Sequence, residues 1–292
     1  MPAHNGDMIE EHDRGFGYDI SVMSRRRILL GLGAAAGSAA IAACGTTGTA
    51  PSDTRTDTSA AAAAPQETMG PYPGDGSNGP NVLIESGVVR SDITSSFGPY
   101  TGVAQGVPAT LTMNLRNLAD NGNPGAAMAV YIWHCDREGR YSLYSEGVTE
   151  QNYLRGVQVA DAAGAVTFRT IFPATYPGRW PHIHFEVFDS LESAVAGSAA
   201  RLTSQIALPE ATSSAVYTFD DGYAASIPNL GALTLDSDMV FGDGWTAQMA
   251  STGGTPATGI DVAITIGVAE KSKNVDTNPP PSGGPGGPPP GR

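Results

Sequence analysis

The sequence predicts an all-β protein, a β-sandwich with long connecting loops, lying between two stretches that cannot build a core. Three observations predict it. Apolar and polar residues alternate, or apolar β-formers run unbroken, in several segments rich in Val, Ile, Thr, Phe and Tyr. Clusters of Gly, Pro, Asn and Asp separate those segments. Helical periodicity is weak along the chain.

The elements follow in order. Ser24-Arg25-Arg26-Arg27-Ile28-Leu29 precedes an uncharged Gly/Ala-rich stretch that runs to Ala43. It is too short and too weakly apolar for a spanning helix, which needs about 20 apolar residues. Residues 1–43 therefore read as an export signal with a twin-arginine start, ending at Ile41-Ala42-Ala43-Cys44. That ending resembles a bacterial lipobox, in which Cys44 is lipidated and becomes the mature N-terminus. An ordinary secretory signal cleaved nearby, with Cys44 incidental, is the alternative. Residues 44–66 are Thr, Ser, Ala and Pro with almost no bulky apolar side chain, the composition of a flexible tether. Residues 67–270 hold the strands, and about 200 residues can bury a good core. The Pro/Gly tail 271–292 cannot.

Within 67–270, Ala109–Leu115 alternates. Asp120-Asn121-Gly122-Asn123-Pro124-Gly125 is a turn. Ala129–His134 is a near-continuous β-former run. Asp161-Ala162-Ala163-Gly164 turns the chain into the alternating Ala165–Ile171. His182–Phe188 alternates with His182, His184, Glu186 and Phe188 on one face. Ser190–Ala200 is the candidate for a short helix, and 201–208 and 259–268 supply two more strands. Ser142–Val157 and Pro209–Leu235 read as ordered surface connections, where functional residues tend to lie.

Composition excludes several partners. The net charge is -13. Four Arg against five Asp or Glu in residues 1–43 leave -12 on the mature part, with only Lys271 and Lys273 as lysines. An acidic chain argues against nucleic acid and against electrostatic attachment to anionic lipid, so membrane contact is expected through a lipid anchor alone. Two cysteines exist, Cys44 and Cys135. With Cys44 acylated, no disulfide forms within the mature chain, and Cys135, inside an apolar run, reads as a buried thiol.

The chemistry gathers in one place. Only His134, His182 and His184 remain after the leader, and two of the three form His182-Ile183-His184. On a strand both imidazoles face one side. Tyr176-Pro177-Gly178-Arg179-Trp180-Pro181 runs directly into the pair, and Pro177 and Pro181 restrict the backbone that carries Tyr176. Tyr141 lies further upstream. Two imidazole nitrogens and two phenolate oxygens would be a hard donor set, better suited to high-valent iron than to a soft metal. Taken alone, each residue has a plainer reading: a structural histidine pair, packing tyrosines, a solvated Arg179, a satisfied amide at Gln205 and a core His134.

The stretch from Val130 to Phe188 resembles the intradiol ring-cleavage dioxygenases, the non-haem iron family that includes catechol 1,2- and protocatechuate 3,4-dioxygenases. The matching pieces are Ile132-Trp133-His134, Asp136–Tyr141, Phe168–Pro173, Tyr176-Pro177 and Pro181–Phe185. Upstream, Glu67–Tyr72 resembles the family's Glu-Gly-Pro-Tyr segment. The resemblance implies a β-sandwich holding one Fe(III) per chain on Tyr141, Tyr176, His182 and His184. It implies Tyr176 as the tyrosinate that leaves the metal and accepts a proton, and Arg179 as the group stabilising developing charge. Gln205 and Tyr72 are implied beside the metal ligands or the substrate; His134, on an apolar strand beside Cys135, reads as a core histidine or one next to the ligands rather than as a third nitrogen ligand. The implied reaction opens a catecholic ring between its hydroxyl-bearing carbons with O2, giving a muconate-type diacid. Only five residues separate Tyr176 from His182, fewer than in the best-known cytosolic enzymes, and the chain resembles a shorter, exported branch. The substrate is then a small aromatic diol of undefined identity, and the oligomeric state is open. The competing expectation is a β-sandwich surface lipoprotein that binds aromatic or catechol ligands without turnover, or holds a different metal.

Overall fold

A computed structural model describes residues 61–270. Nine strands form: β1 (Pro108–Asn117), β2 (Asn123–Pro124), β3 (Ala129–Trp133), β4 (Arg155–Val159), β5 (Ala165–Ile171), β6 (His182–Phe188), β7 (Leu202–Ala207), β8 (Ser251–Thr255) and β9 (Gly259–Val268). One sheet has the order β2-β1-β9-β8, with β5 also paired to β1. The other has the order β4-β3-β6-β7. All pairings are antiparallel except β1 with β9.

The two sheets share one hydrophobic core. Leu111, Met113 and Leu115 of β1, Phe168 of β5 and Val262 and Ile264 of β9 join Val130, Ile132, Phe185, Val187 and Ile206 in a single buried cluster. On β1 and β9 buried positions alternate with more open ones, as a half-solvated sheet requires. On β3, β6 and β7 every residue is buried. Ile183, Phe185 and Val187 supply the inner face of β6, each contributing about 1.5–3 kcal/mol on burial. The other face of β6 is buried too, and it carries the histidines.

Three helices cover the connections: α1 (Leu191–Val195), α2 (Glu210–Phe219) and α3 (Ser226–Gly231). Ser190 caps α1, accepting from the Ser193 N–H, within the expected segment. The other two correct the sequence reading, which took Pro209–Leu235 for a loop. On α2, Ser213, Val216 and Tyr217 face inward at helical spacing, but a serine hides the apolar stripe. β4 likewise overlaps the expected connection Ser142–Val157 by its first three residues, and it opens on Arg155, a charge buried to 1% exposure, so no apolar pattern announces it.

Packed structure also begins earlier than the composition places it. Ala64 is buried, its N–H donates to the Gly267 carbonyl, and Ala63 bridges to Gly267. Residues 62–64 thus lie against β9, and Gln66 accepts from the Thr203 N–H of β7. The expected signal segment, Cys44 and the 271–292 tail lie outside the described residues. No helix among the described residues is long and apolar enough to cross a membrane.

Candidate metal centre

The loop that delivers Tyr141 is organised by Asp136. Its buried carboxylate accepts from the N–H groups of Glu138 (3.0 Å) and Arg140 (2.9 Å), from Arg140 Nε (3.0 Å) and from the Tyr153 hydroxyl (3.2 Å). Gly139 sits at φ 83°, a conformation that only glycine adopts cheaply. The tight turn closes with the Asp136 N–H on the Arg140 carbonyl, 2.8 Å, and releases Tyr141 inward at 2% exposure.

Tyr176 arrives on a second turn. The Arg179 N–H donates to the Tyr176 carbonyl at 3.1 Å, and the Thr175 hydroxyl to the Arg179 carbonyl at 2.5 Å. The turn rests on α3, whose Asn229 side chain donates to the Thr175 carbonyl at 3.1 Å.

β6 supplies the imidazoles by its period of two. His182 Nε2 and His184 Nε2 lie 3.1 Å apart. Tyr141 Oη is 3.3 Å from His182 Nε2 and 3.2 Å from His184 Nε2. Tyr176 Oη is 3.1 Å from Tyr141 Oη and 3.3 Å from His182 Nε2. Four donor atoms from three chain segments thus crowd together. Ligands at about 2.0–2.1 Å from a shared first-row ion stand roughly 3.3 Å from one another. Among the described residues no three His, Cys, Asp or Glu side chains are placed to hold a metal. A metal centre here therefore needs the tyrosine oxygens.

The electrostatics suit such a set. Burial, with Arg179 next, holds the His182 imidazole well below its ordinary value; burial, with His182 next, does the same to His184. Both rings are neutral and keep a lone pair. His182 Nδ1–H donates to the Trp180 carbonyl at 2.5 Å, which leaves Nε2 as the free acceptor. His184 has no such anchor at Nδ1. Its ring stacks on Trp133 instead, centroids 5.0 Å apart and 7° from parallel. Burial raises Tyr176 to about 12 and lifts Tyr141 well above the usual phenol range. In each case Arg179 pulls the other way. A bound trivalent cation would reverse this desolvation penalty and favour the phenolates.

Arg179 and Gln205, both expected at the site, touch each other: Arg179 Nη2 donates to Gln205 Oε1 at 2.5 Å. Arg179 is buried, not solvated. Gln205 pairs across the sheet with His184 and donates to the Thr68 carbonyl at 2.9 Å. Tyr72 packs on Tyr141, centroids 5.0 Å apart. His134 takes the plainer of its readings, a core histidine. Its Nδ1 meets the Cys135 carbonyl at 2.8 Å and its Nε2 the Thr170 hydroxyl at 2.7 Å, so both nitrogens are engaged away from the four donors. Cys135 is buried and its thiol raised by that burial, in keeping with a structural role.

Two residues at the site escaped the sequence reading. Asp238 forms an ion pair with Arg179, Oδ2 to Nε 3.1 Å. Arg155 donates to the carbonyls of Ser142 (3.0 Å) and Pro73 (2.8 Å), the residues that follow Tyr141 and Tyr72. No local pattern marks either one. An acid before an apolar pair and an arginine at the head of a strand carry no signal until their partners are placed.

The chain is similar to known dioxygenases. A family model described as "Dioxygenase" matches residues 100–189, a span that holds the four donors and Arg179. Chlorocatechol 1,2-dioxygenase of Pseudomonas sp. (strain P51) is 33% identical over 86 residues, 23% of this chain and 34% of that protein. Catechol 1,2-dioxygenase 2 of Acinetobacter lwoffii is 33% identical over 67 residues, 23% of this chain and 24% of that protein. The chain thus spans about a third or less of the length of these curated relatives. An intradiol ring-cleavage dioxygenase from Tetranychus urticae superposes with a TM-score of 0.53 at 23% identity, covering 71% of this chain and 95% of that one. At that identity the likeness speaks for the fold.

Proposed function

We propose that this chain, a member of the intradiol ring-cleavage dioxygenase family, is a ferric-iron enzyme that uses O2 to open catecholic rings between their hydroxyl-bearing carbons. The products are muconate-type diacids. The observation that carries the reading is the meeting of Tyr141, Tyr176, His182 and His184 at 3.1–3.3 Å. Two oxygens able to ionise and two neutral imidazoles fit one Fe(III) per chain. When bound, the ferric ion supplies Lewis acidity and electron-accepting capacity toward the diol.

The protein's own groups do the rest. Tyr176 accepts a proton at Oη from the incoming diol. It is suited to this because Arg179 favours its phenolate. Tyr141, wholly buried and backed by Tyr72, stays as the fixed oxygen. Arg179 is aimed by Gln205 at the side where negative charge grows, and a preorganised cation there is worth several kcal/mol in a dry site. Residues 67–74 cover one flank, with Gly70 against His184 and Tyr72 against Tyr141, and keep water out.

The curated relatives are named for chlorocatechol and catechol. We place the substrate of this chain in the same class of small aromatic diols. We further propose export through the twin-arginine segment and anchoring through a lipid on Cys44. Membrane fractionation and intact mass of the wild type and C44A test the anchor, which is wrong if both fractionate alike.

The test of the activity starts from the full chain loaded with ferric iron. A broad visible tyrosinate-to-iron absorption that shifts on adding catechol, followed by oxygen uptake, is the expected result. A protein that stays colourless after iron loading sinks the assignment.

A further inference from the structure

Asp238 lies between α3 and β8, outside the matched dioxygenase span, and its side chain is fully buried. It accepts four hydrogen bonds. Oδ2 takes Arg179 Nε at 3.1 Å and the Trp180 N–H at 2.6 Å. Oδ1 takes the N–H groups of Val240 at 2.8 Å and Phe241 at 3.1 Å. One carboxylate therefore ties the 238–241 turn to Arg179 and Trp180, which reach the histidine strand through Pro181.

Both ties lead to the candidate metal centre. Through Arg179, Asp238 fixes a guanidinium whose other end is held by Gln205. Through Trp180, it holds a residue whose carbonyl receives the His182 Nδ1–H and so sets which nitrogen of His182 is free. It also supplies a negative charge against a buried cation that would otherwise oppose a metal ion in the same small volume. A buried arginine without a partner is strongly unfavourable.

We propose that Asp238 is a positioning residue of this site: it neutralises and orients Arg179 and, by way of the Trp180 backbone, locks the tautomer of His182. The proposal rests on Tyr141, Tyr176, His182 and His184 being the ligand set. Asparagine at 238 has nearly the same shape but cannot accept on both edges. Whichever way its amide turns, two N–H donors face an NH2 group.

The test compares the full-length wild type with D238N, in ferric-loaded and metal-free forms. In the loaded form D238N is expected to bind ferric iron at least tenfold more weakly in chelator competition. Its visible band at full occupancy is expected to move. Affinity within twofold and an unmoved band would overturn the proposal. The metal-free form separates this outcome from failure of the iron reading, which a colourless wild type would signal. With 15N-labelled histidine, the wild type should show His182 as the Nδ1–H tautomer and D238N a mixture. Identical tautomers in the two proteins overturn the proposal whatever the metal. If D238N does not fold, R179Q/D238N removes the stranded charge. A folded double variant with mixed His182 tautomers supports the proposal, and one with the wild-type tautomer overturns it.

Discussion

Tyr141 and Tyr176, 35 residues apart in the chain, bring their hydroxyl oxygens to 3.1 Å from each other. They are not equivalent. Tyr141 is pinned from behind by Tyr72 and its turn by Asp136; Tyr176 sits on a short turn beside Arg179.

That asymmetry predicts different losses. Y141F should bind ferric iron poorly and lose most of the visible absorption. Y176F should keep iron but lose turnover by about 10²–10⁴-fold, the scale of a missing general base. Absorption spectra with oxygen-uptake rates on catechol check both. Wild-type turnover by Y176F would remove Tyr176 from the proton-accepting role.

Gly70 adopts φ 70°, and a Cβ there would stand 3.2 Å from His184 Cε1. Alanine pays about 1–2 kcal/mol for the left-handed backbone. It also presses on an imidazole that lacks an Nδ1 anchor. G70A is expected to lower Tm by about 2–8 °C and to weaken iron binding, read by calorimetry and chelator competition. A G70A protein with unchanged affinity would show that residues 67–74 do not brace His184.

Arg155 holds two segments through one buried fork: Ser142 by Oγ (3.0 Å) and carbonyl (3.0 Å), and Pro73 by its carbonyl (2.8 Å). R155M keeps much of the volume and strands the Ser142 carbonyl, while the Pro73 carbonyl keeps the Tyr131 hydroxyl at 2.6 Å. Urea unfolding should show a loss of about 3 kcal/mol or more. R155K should recover only part of it, because an ammonium cannot reproduce the fork. A loss below about 0.5 kcal/mol, the range of ordinary surface substitutions, would contradict this reading.

Glu67 is buried beside Gln248, and one of its oxygens, Oε2, has no partner. Burial first, then Asp243, raises its carboxyl from 4.5 to about 7; Asp238 adds to this, while Gln248 and Arg179 oppose it. The folded chain thus keeps a proton that the unfolded chain releases. This group's contribution to stability is fully present below about pH 4.5 and is lost as pH rises through the window up to about 7. E67Q should flatten that slope and stabilise the protein at pH 8 by on the order of 2 kcal/mol. Denaturation midpoints of both proteins at pH 4.5 and 8 check the sign. An unchanged slope in E67Q would assign the pH dependence elsewhere.

Much of this protein is legible in its sequence because the signals are local. The strands 165–171, 182–188 and 259–268 begin and end where alternation and turn residues place them. A period of two puts His182 and His184 on one face without any knowledge of what covers it. The segments containing Tyr141 and Tyr176 stand out by their motifs. β4, α2 and α3 are hidden because a buried Arg155, a buried Ser213 and a buried Ser226 occupy positions where a pattern of apolar residues is sought.

The sequence by itself therefore determined the all-β class, the residue types of the candidate metal centre and the strand that carries half of it. Only the tertiary structure decided how far apart the four donors stand. The packing of the sheets also assigned Asp238 to Arg179 and Arg155 to the turns beside Tyr141 and Tyr72, and directed both nitrogens of His134 away from the site. The physical reason is that periodicity reports how one residue stands relative to its own strand. A hydrogen bond or ion pair is a property of two residues, here 59 positions apart for Arg179 and Asp238. It exists only once loop closure and core packing have placed both partners in the same low-dielectric volume.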